Sequence, residues 1–113
     1  MSDDLKLNIS DTERLDRIRL IRTPGIGAVT YHRLMQRFAS ATEALRALPA
    51  IAKRAGGASP NVPGADAAKR ERDAAERLGA ELVFHGEAAY PPLLAMTEDA
   101  PAYLTVRGNL SLL

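Results

Sequence analysis

From Ser10 onward the chain reads as short apolar periods separated by small-residue breaks. Leu15, Ile18 and Ile21, with Leu20 beside them, recur at helical spacing and predict a buried stripe. Ser10 followed three residues later by Glu13 predicts where that helix starts, as a capping box in which the two side chains satisfy amides the first turn leaves orphaned. Thr23-Pro24-Gly25 predicts its end. A second helix is expected from about Ala28 to Phe38, burying Tyr31, Leu34, Met35 and Phe38. Ser40 and Glu43 repeat the box for a third, with Ala44, Leu45 and Leu48 as its apolar face; it is expected to close near Pro49, with Ile51 to Ala55 adding one short turn. From Gly56 to Gly64 no period survives, and the Gly, Ala, Ser, Pro and Asn residues predict a mobile connector.

Beyond the connector, Ala65 to Leu78 favours helix, with Asp66/Arg70, Lys69/Asp73, Arg72/Glu76 and Asp73/Arg77 at i,i+4 and Gly79 as the stop. Its expected apolar face is Ala68, Ala74, Ala75 and Leu78, and its alternating charges predict a solvated outer face rather than a nucleic-acid patch. Glu81 to Phe84 and Ala102 to Arg107 are strand candidates, the second closed by Gly108-Asn109. Tyr90-Pro91-Pro92-Leu93-Leu94 between them cannot be a central strand, because proline has no amide for a ladder. The expected organisation is a helical domain over residues 1–55, a linker over 56–64, and over 65–113 the helix and strands that open an α/β layer. Two short strands cannot complete such a layer, since an isolated pair is marginal in water.

Composition narrows the classes of function. With 113 residues there is no room for two full-sized domains. The 46% hydrophobic and 26% charged residues predict a chain that folds, and a net charge of +1 argues against a protein basic all over, while leaving room for a local patch. The absence of Cys excludes disulfides, thiol nucleophiles and cysteine metal sites, and with two His a metal cage is not expected. The opening Met1-Ser2-Asp3-Asp4 is acidic, and no apolar run approaches the roughly 18 residues of a membrane span. A cytoplasmic location is expected.

The chemistry concentrates at Pro24-Gly25-Ile26-Gly27, between two amphipathic helices. Gly25 and Gly27 are expected to supply positive φ and a surface without Cβ, and Ile26 to point inward and pin the turn. The amides at the start of the second helix would then face outward with a favourable dipole, where phosphate oxygens can accept from them. Between Arg14 and Arg37 lie Arg14, Arg17, Arg19, Arg22, Arg33 and Arg37 against one acid, Asp16. Arg22, Arg33 and Arg37 are expected nearest the turn, with Thr30 as a hydroxyl donor, so the candidate nucleic-acid contacts are Gly25, Ile26, Gly27, Thr30, Arg22, Arg33 and Arg37. A Gly-Ile-Gly turn can equally do no more than join two packed helices. Catalytic readings are weaker: His85 with Glu87 lacks a positioned nucleophile, His32 is expected as a half-exposed spectator, and Glu98-Asp99 as a solvated pair. No catalytic residue, cofactor or metal is expected.

Arg22 to Gly27, Leu34 to Phe38 with Ser40, Tyr90-Pro91-Pro92-Leu93-Leu94, Ala100-Pro101 and Tyr103 to Asn109 together resemble the opening of the DNA-processing protein A family, DprA or Smf. The resemblance implies a mainly helical, sterile-alpha-motif-like (SAM-like) N-terminal domain containing a helix-hairpin-helix, followed by the α/β start of a Rossmann-like domain. It implies a non-enzymatic recombination mediator that binds incoming single-stranded DNA and assists RecA loading in natural transformation, with no membrane partner and with homodimerisation through the Rossmann-like domain. The family's Gly-Ser-Arg phosphate-binding motif does not occur in these residues, so the resemblance covers the N-terminal portion without the main DNA pocket. Thr23, Tyr31 and Ala39 stand where such hairpins or this family often have Leu, Ala and Gly. The alternative is a SAM-like protein-interaction module with no DNA contact of its own.

Overall fold

The structure, a computed structural model, describes residues 9–107. Met1 to Asp4 and the expected strand closure at Gly108-Asn109 lie outside the described residues. In chain order the elements are α1 (Asp11–Ile21), α2 (Ala28–Arg37), α3 (Ala41–Arg54), α4 (Ala65–Arg77), β1 (Ala80–Phe84), the single turn α5 (Pro92–Ala95) and β2 (Tyr103–Arg107). No helix among the described residues is long and apolar enough to cross a membrane.

Both expected serine caps form, because each needs only the local chain. The Glu13 amide donates to Ser10 Oγ and the Glu43 amide to Ser40 Oγ, each at 3.1 Å. The return half of each box goes elsewhere. The Glu13 carboxylate accepts from the Ala41 amide (3.1 and 2.9 Å) and from Arg17 Nε (2.9 Å), so an acid of α1 sits on the positive end of α3 and joins the two helices. Glu43 accepts from the Ala39 amide at 3.2 Å. Asp16, buried on α1, accepts from Arg19 at 3.0 Å and from the Thr42 hydroxyl, a second polar tie to α3.

The third helix does not close near Pro49, as the sequence reading expects; α3 runs through it to Arg54. Proline removes the hydrogen bond to the Leu45 carbonyl, but Ala44 and Leu48 are buried and Ile51 packs on the same cluster, so the apolar stripe holds the last turn in place. In α4 the expected apolar face is half right. Ala68 and Ala75 are buried, whereas Ala74 and Leu78 are exposed. Glu71 and Arg72 occupy the stretch between the two alanines and pair with the two ends of α1, Glu71 with Arg22, the residue that caps it, and Arg72 with Asp11, its first residue, at 2.6 Å. The expected outer-face pairs at i,i+4 are not among the ion pairs of α4; Arg72 also meets Asp73 at 3.4 Å.

One buried cluster joins Leu20, Tyr31, Leu34, Ala41, Ala44 and Leu48 with Ala102, which precedes β2. A second joins Ile18 and Ala68 with Phe84 at the end of β1. The strands pair antiparallel from Ala80↔Arg107 to Phe84↔Tyr103, and packing of Phe84 on α1 and α4 supplies the support that an isolated strand pair lacks. This small sheet is compatible with the opening of a larger α/β layer. The 56–64 connector is non-helical, and its far end is tied down: Val62 packs on the first cluster and Arg19 Nε donates to the Pro63 carbonyl at 2.9 Å.

Candidate nucleic-acid interface

The turn between α1 and α2 is built by four residues with different tasks. Thr23 is buried, and its hydroxyl donates to the Arg19 carbonyl at 2.8 Å, which satisfies a polar group where an apolar residue would otherwise be expected. The Ile26 amide donates to the Thr23 carbonyl at 3.1 Å, and the Ile26 side chain packs on the first cluster, pinning the turn as anticipated. Gly25 sits at φ +89°, in the left-handed region that favours glycine. Gly27 does not: as N-cap of α2 it has φ −92° and ψ −176°, ordinary extended backbone, and a Cβ there would meet nothing within 4 Å. The chain reverses with one left-handed residue, so the expected positive φ at Gly27 is corrected.

Helix α2 differs from α1 and α3 at its start. Its N-cap offers no side-chain acceptor, and its first turn carries no acid. The Tyr31 amide closes the first turn on the Gly27 carbonyl at 2.9 Å, which leaves the amides of Ala28, Val29 and Thr30 without helical partners. Thr30 and Val29 are exposed.

The six arginines divide into two groups. Arg14 makes a two-pronged contact with Glu87 and lies over the Phe84 ring, 5.2 Å from its centroid. Arg17 pairs with Glu13 and donates to the His85 carbonyl at 3.2 Å; Arg19 pairs with Asp16. Arg22 forks onto Glu71 at 3.1 and 3.0 Å, and Tyr103 donates its hydroxyl to the same carboxylate. The Glu71 hydrogen bond raises the Arg22 pKa further above its ordinary value. Burial works to raise the Glu71 carboxyl, but hydrogen bonds from Arg22 and Tyr103 and the Arg22 charge outweigh it and hold the carboxyl below its usual range. Burial, with the Glu71 hydrogen bond, pushes the Tyr103 phenol up. Arg33 and Arg37 form the second group: both are exposed on α2, and no carboxylate pairs with either among the described residues.

The histidines and Glu87 have other partners than the catalytic reading supposes. Glu87 accepts from the Phe84 amide at 2.8 Å and from Arg14. His32 Nε2 donates to the Ala100 carbonyl at 2.6 Å and His85 Nε2 to the Ala95 carbonyl at 3.2 Å, roles fixed by the fact that a carbonyl only accepts. The two rings lie 4.6 Å apart, and Tyr90 stands edge-on to His85 at 5.2 Å. Tyr90 donates to the Pro101 carbonyl at 2.7 Å, and burial pushes its phenol up. This stack fastens α2 to the segment before β2, so His32 is structural rather than a spectator. Nothing in its local spacing signals a partner 68 residues away.

Two helices joined by a left-handed glycine, the second starting on bare amides and carrying two surface arginines without carboxylate partners among the described residues, define a helix-hairpin-helix domain. The chain belongs to the family described as the DprA-like N-terminal HHH domain, whose family model matches residues 11–74. The match begins with the first residue of α1 and runs through α2, α3 and most of α4. Among curated proteins none matches the chain.

Proposed function

We propose that this chain is the helical, DNA-contacting portion of a DprA-type DNA-processing protein, acting without catalysis of its own. The start of α2, with Gly25, Ile26, Gly27 and Thr30, receives the sugar-phosphate backbone; Arg33 and Arg37 neutralise it, and Arg22 stands beside it. The strands after α4 open a Rossmann-like domain, through which the intact protein grips incoming single-stranded DNA, dimerises and passes the strand to RecA in natural transformation. The observation that carries this reading is the family match across residues 11–74, which contains the whole hairpin. Three features of the molecule support it. Gly27 has no intrachain need to be glycine, which leaves its bare surface available to an outside backbone. The first turn of α2 holds no acid to repel phosphate, and the two unpaired arginines lie on the same helix.

The test is oligonucleotide binding by fluorescence anisotropy over a series of salt concentrations. If Arg33 and Arg37 each neutralise one phosphate, changing both to Ala weakens binding and lowers the slope of log K against log salt by roughly 1.4 on a single strand, or about 1.8 on a duplex. Unchanged affinity and slope, with the melting temperature preserved, would overturn the hairpin contact. That outcome would favour the protein-interaction reading, to which one observation lends weight: Leu93 and Met96 at α5 are 83% and 80% exposed, an apolar pair standing in water.

A further inference from the structure

Beside the first residue of α2 lies a hollow of about 300 Å³, closed on its other side by the segment that leads into β2. Its lining includes Ile21, Arg22, Ala28, Asp99, Pro101 and Tyr103. We propose that this hollow is a subsite for one unstacked nucleobase, favouring bases with an exocyclic amino group. The proposal rests on the backbone contact put forward above and adds to it a place for the base that the held phosphate carries.

Four properties fit a base. The first is size: 300 Å³ lies at the low end of sites for small organic ligands, enough for one flat heterocycle and too little for a base pair. The second is a flat, preorganised wall. Glu71 holds the Arg22 guanidinium by two hydrogen bonds and the Tyr103 ring by its hydroxyl, so one carboxylate orients both planar groups, with the guanidinium carbon 5.7 Å from the ring centroid. Arg22 nevertheless keeps 57% of its side chain exposed, and guanidinium and aromatic planes are the surfaces on which single-stranded bases stack. Thirdly, Ile21, Ala28 and Pro101 give the hollow apolar lining, which suits the faces of a base and not its phosphate. Lastly, Asp99 is exposed and lines the same hollow; a carboxylate there accepts from the amino group of cytosine or adenine and has no such donor to meet on thymine. A base inside an intact duplex is stacked on both sides and cannot enter.

The experiment measures anisotropy of the 113-residue chain at low salt with four probes of equal length: oligo-dC, oligo-dT, an abasic strand and a duplex. The expected order is oligo-dC over oligo-dT over abasic, with oligo-dC leading the abasic strand by roughly 5- to 150-fold, the span of one stacked base. Ala28→Leu fills the hollow and should erase that lead with the melting temperature retained, and Asp99→Ala should erase the lead of oligo-dC over oligo-dT. The comparison of strands needs no variant, so a misfolded Ala28→Leu leaves the proposal open to refutation. Equal affinity for oligo-dC and the abasic strand, or a duplex bound more tightly than either, overturns the base subsite while leaving the backbone contact standing. Equal affinity for oligo-dC and oligo-dT overturns the amino preference. Failure to bind any probe overturns the backbone contact and the subsite with it.

Discussion

Tyr31 offers the sharpest stability test, because its ring is the centrepiece of the helical core and its hydroxyl has no use there. The side chain is 1% exposed, and its Oη is a buried polar atom without a hydrogen-bond partner. A polar group buried in this way costs about 1–3 kcal/mol relative to one left in water, whereas loss of a single oxygen forfeits only a few dispersion contacts of about 0.1–0.2 kcal/mol each. Tyr31→Phe should therefore stabilise the protein at neutral pH by about 1 kcal/mol, equivalent to roughly 4–8 °C in melting temperature for a domain near this size. The alkaline limb gives an independent reading. Burial pushes the Tyr31 phenol from 10.0 up to about 12, so the unfolded chain ionises first. Stability owed to this group is fully present below pH 10 and drains away as the pH rises through 12. At 1.36 kcal/mol per pH unit, the advantage of the Phe variant should widen by up to about 2.7 kcal/mol across that window. Urea unfolding followed by far-ultraviolet circular dichroism, at pH 7 and at steps from 9 to 12, measures both effects, and the other tyrosines and lysines cancel in the difference. A variant less stable than the parent at pH 7 would mean the hydroxyl is satisfied, and parallel alkaline curves would mean Tyr31 is not shielded; either result refutes the reasoning.

Four further changes probe the backbone and the Glu71 junction. Gly25→Ala forces a Cβ into the left-handed region at φ +89° and should cost about 1–2 kcal/mol by calorimetry, while Gly27→Ala, in extended backbone with open space around it, should stay within about 0.5 kcal/mol. Pro49→Ala restores a donor to the Leu45 carbonyl inside α3 and should stabilise by up to about 3 kcal/mol in chemical denaturation; a loss of stability would contradict it. Glu71 is held below its usual carboxylate range, so its contribution is present above 4.5 and is lost as the pH falls through its lowered folded value; Glu71→Gln should flatten the acid-unfolding curve by less than about 1 kcal/mol, and superimposable acid limbs would contradict the Arg22–Glu71–Tyr103 junction.

What the sequence shows plainly is whatever the chain decides within a few residues. Ser10 and Ser40 cap their helices because donor and acceptor are three positions apart, and Gly25 turns the hairpin because the reversal is local. The continuation of α3 past Pro49 was also visible in principle, since Ala44, Leu48 and Ile51 keep one helical stripe across the proline; tertiary packing overrides the local penalty. The misplaced part of the α4 face has another cause. Between Ala68 and Ala75 the inward stretch carries Glu71 and Arg72, whose charges are met by Arg22 and Asp11 from a helix some fifty or sixty residues earlier, and a pattern of apolar positions cannot register a face completed by ion pairs. The same holds for the histidine stack, whose partners are carbonyls of distant or neighbouring turns.

The arginine cluster shows why local charge density misleads and what remains once it is corrected. The arginines of α1 and its C-cap tie the hairpin to three parts of the fold: Arg14 and Arg17 to the turn after β1, through Glu87 and the His85 carbonyl, Arg19 to the connector at Pro63, and Arg22 to the α4 acid Glu71. These contacts are mostly shielded from solvent, so they fasten the hairpin to the rest of the molecule and are screened less by salt than exposed charges are. Within the hairpin, the two arginines that no carboxylate pairs with among the described residues are Arg33 and Arg37, one turn apart on α2. Under the proposed function, salt titration of binding is expected to read an α2 contact rather than loosening of α1, and a slope that survives Arg33→Ala with Arg37→Ala would have to arise from a surface other than this hairpin.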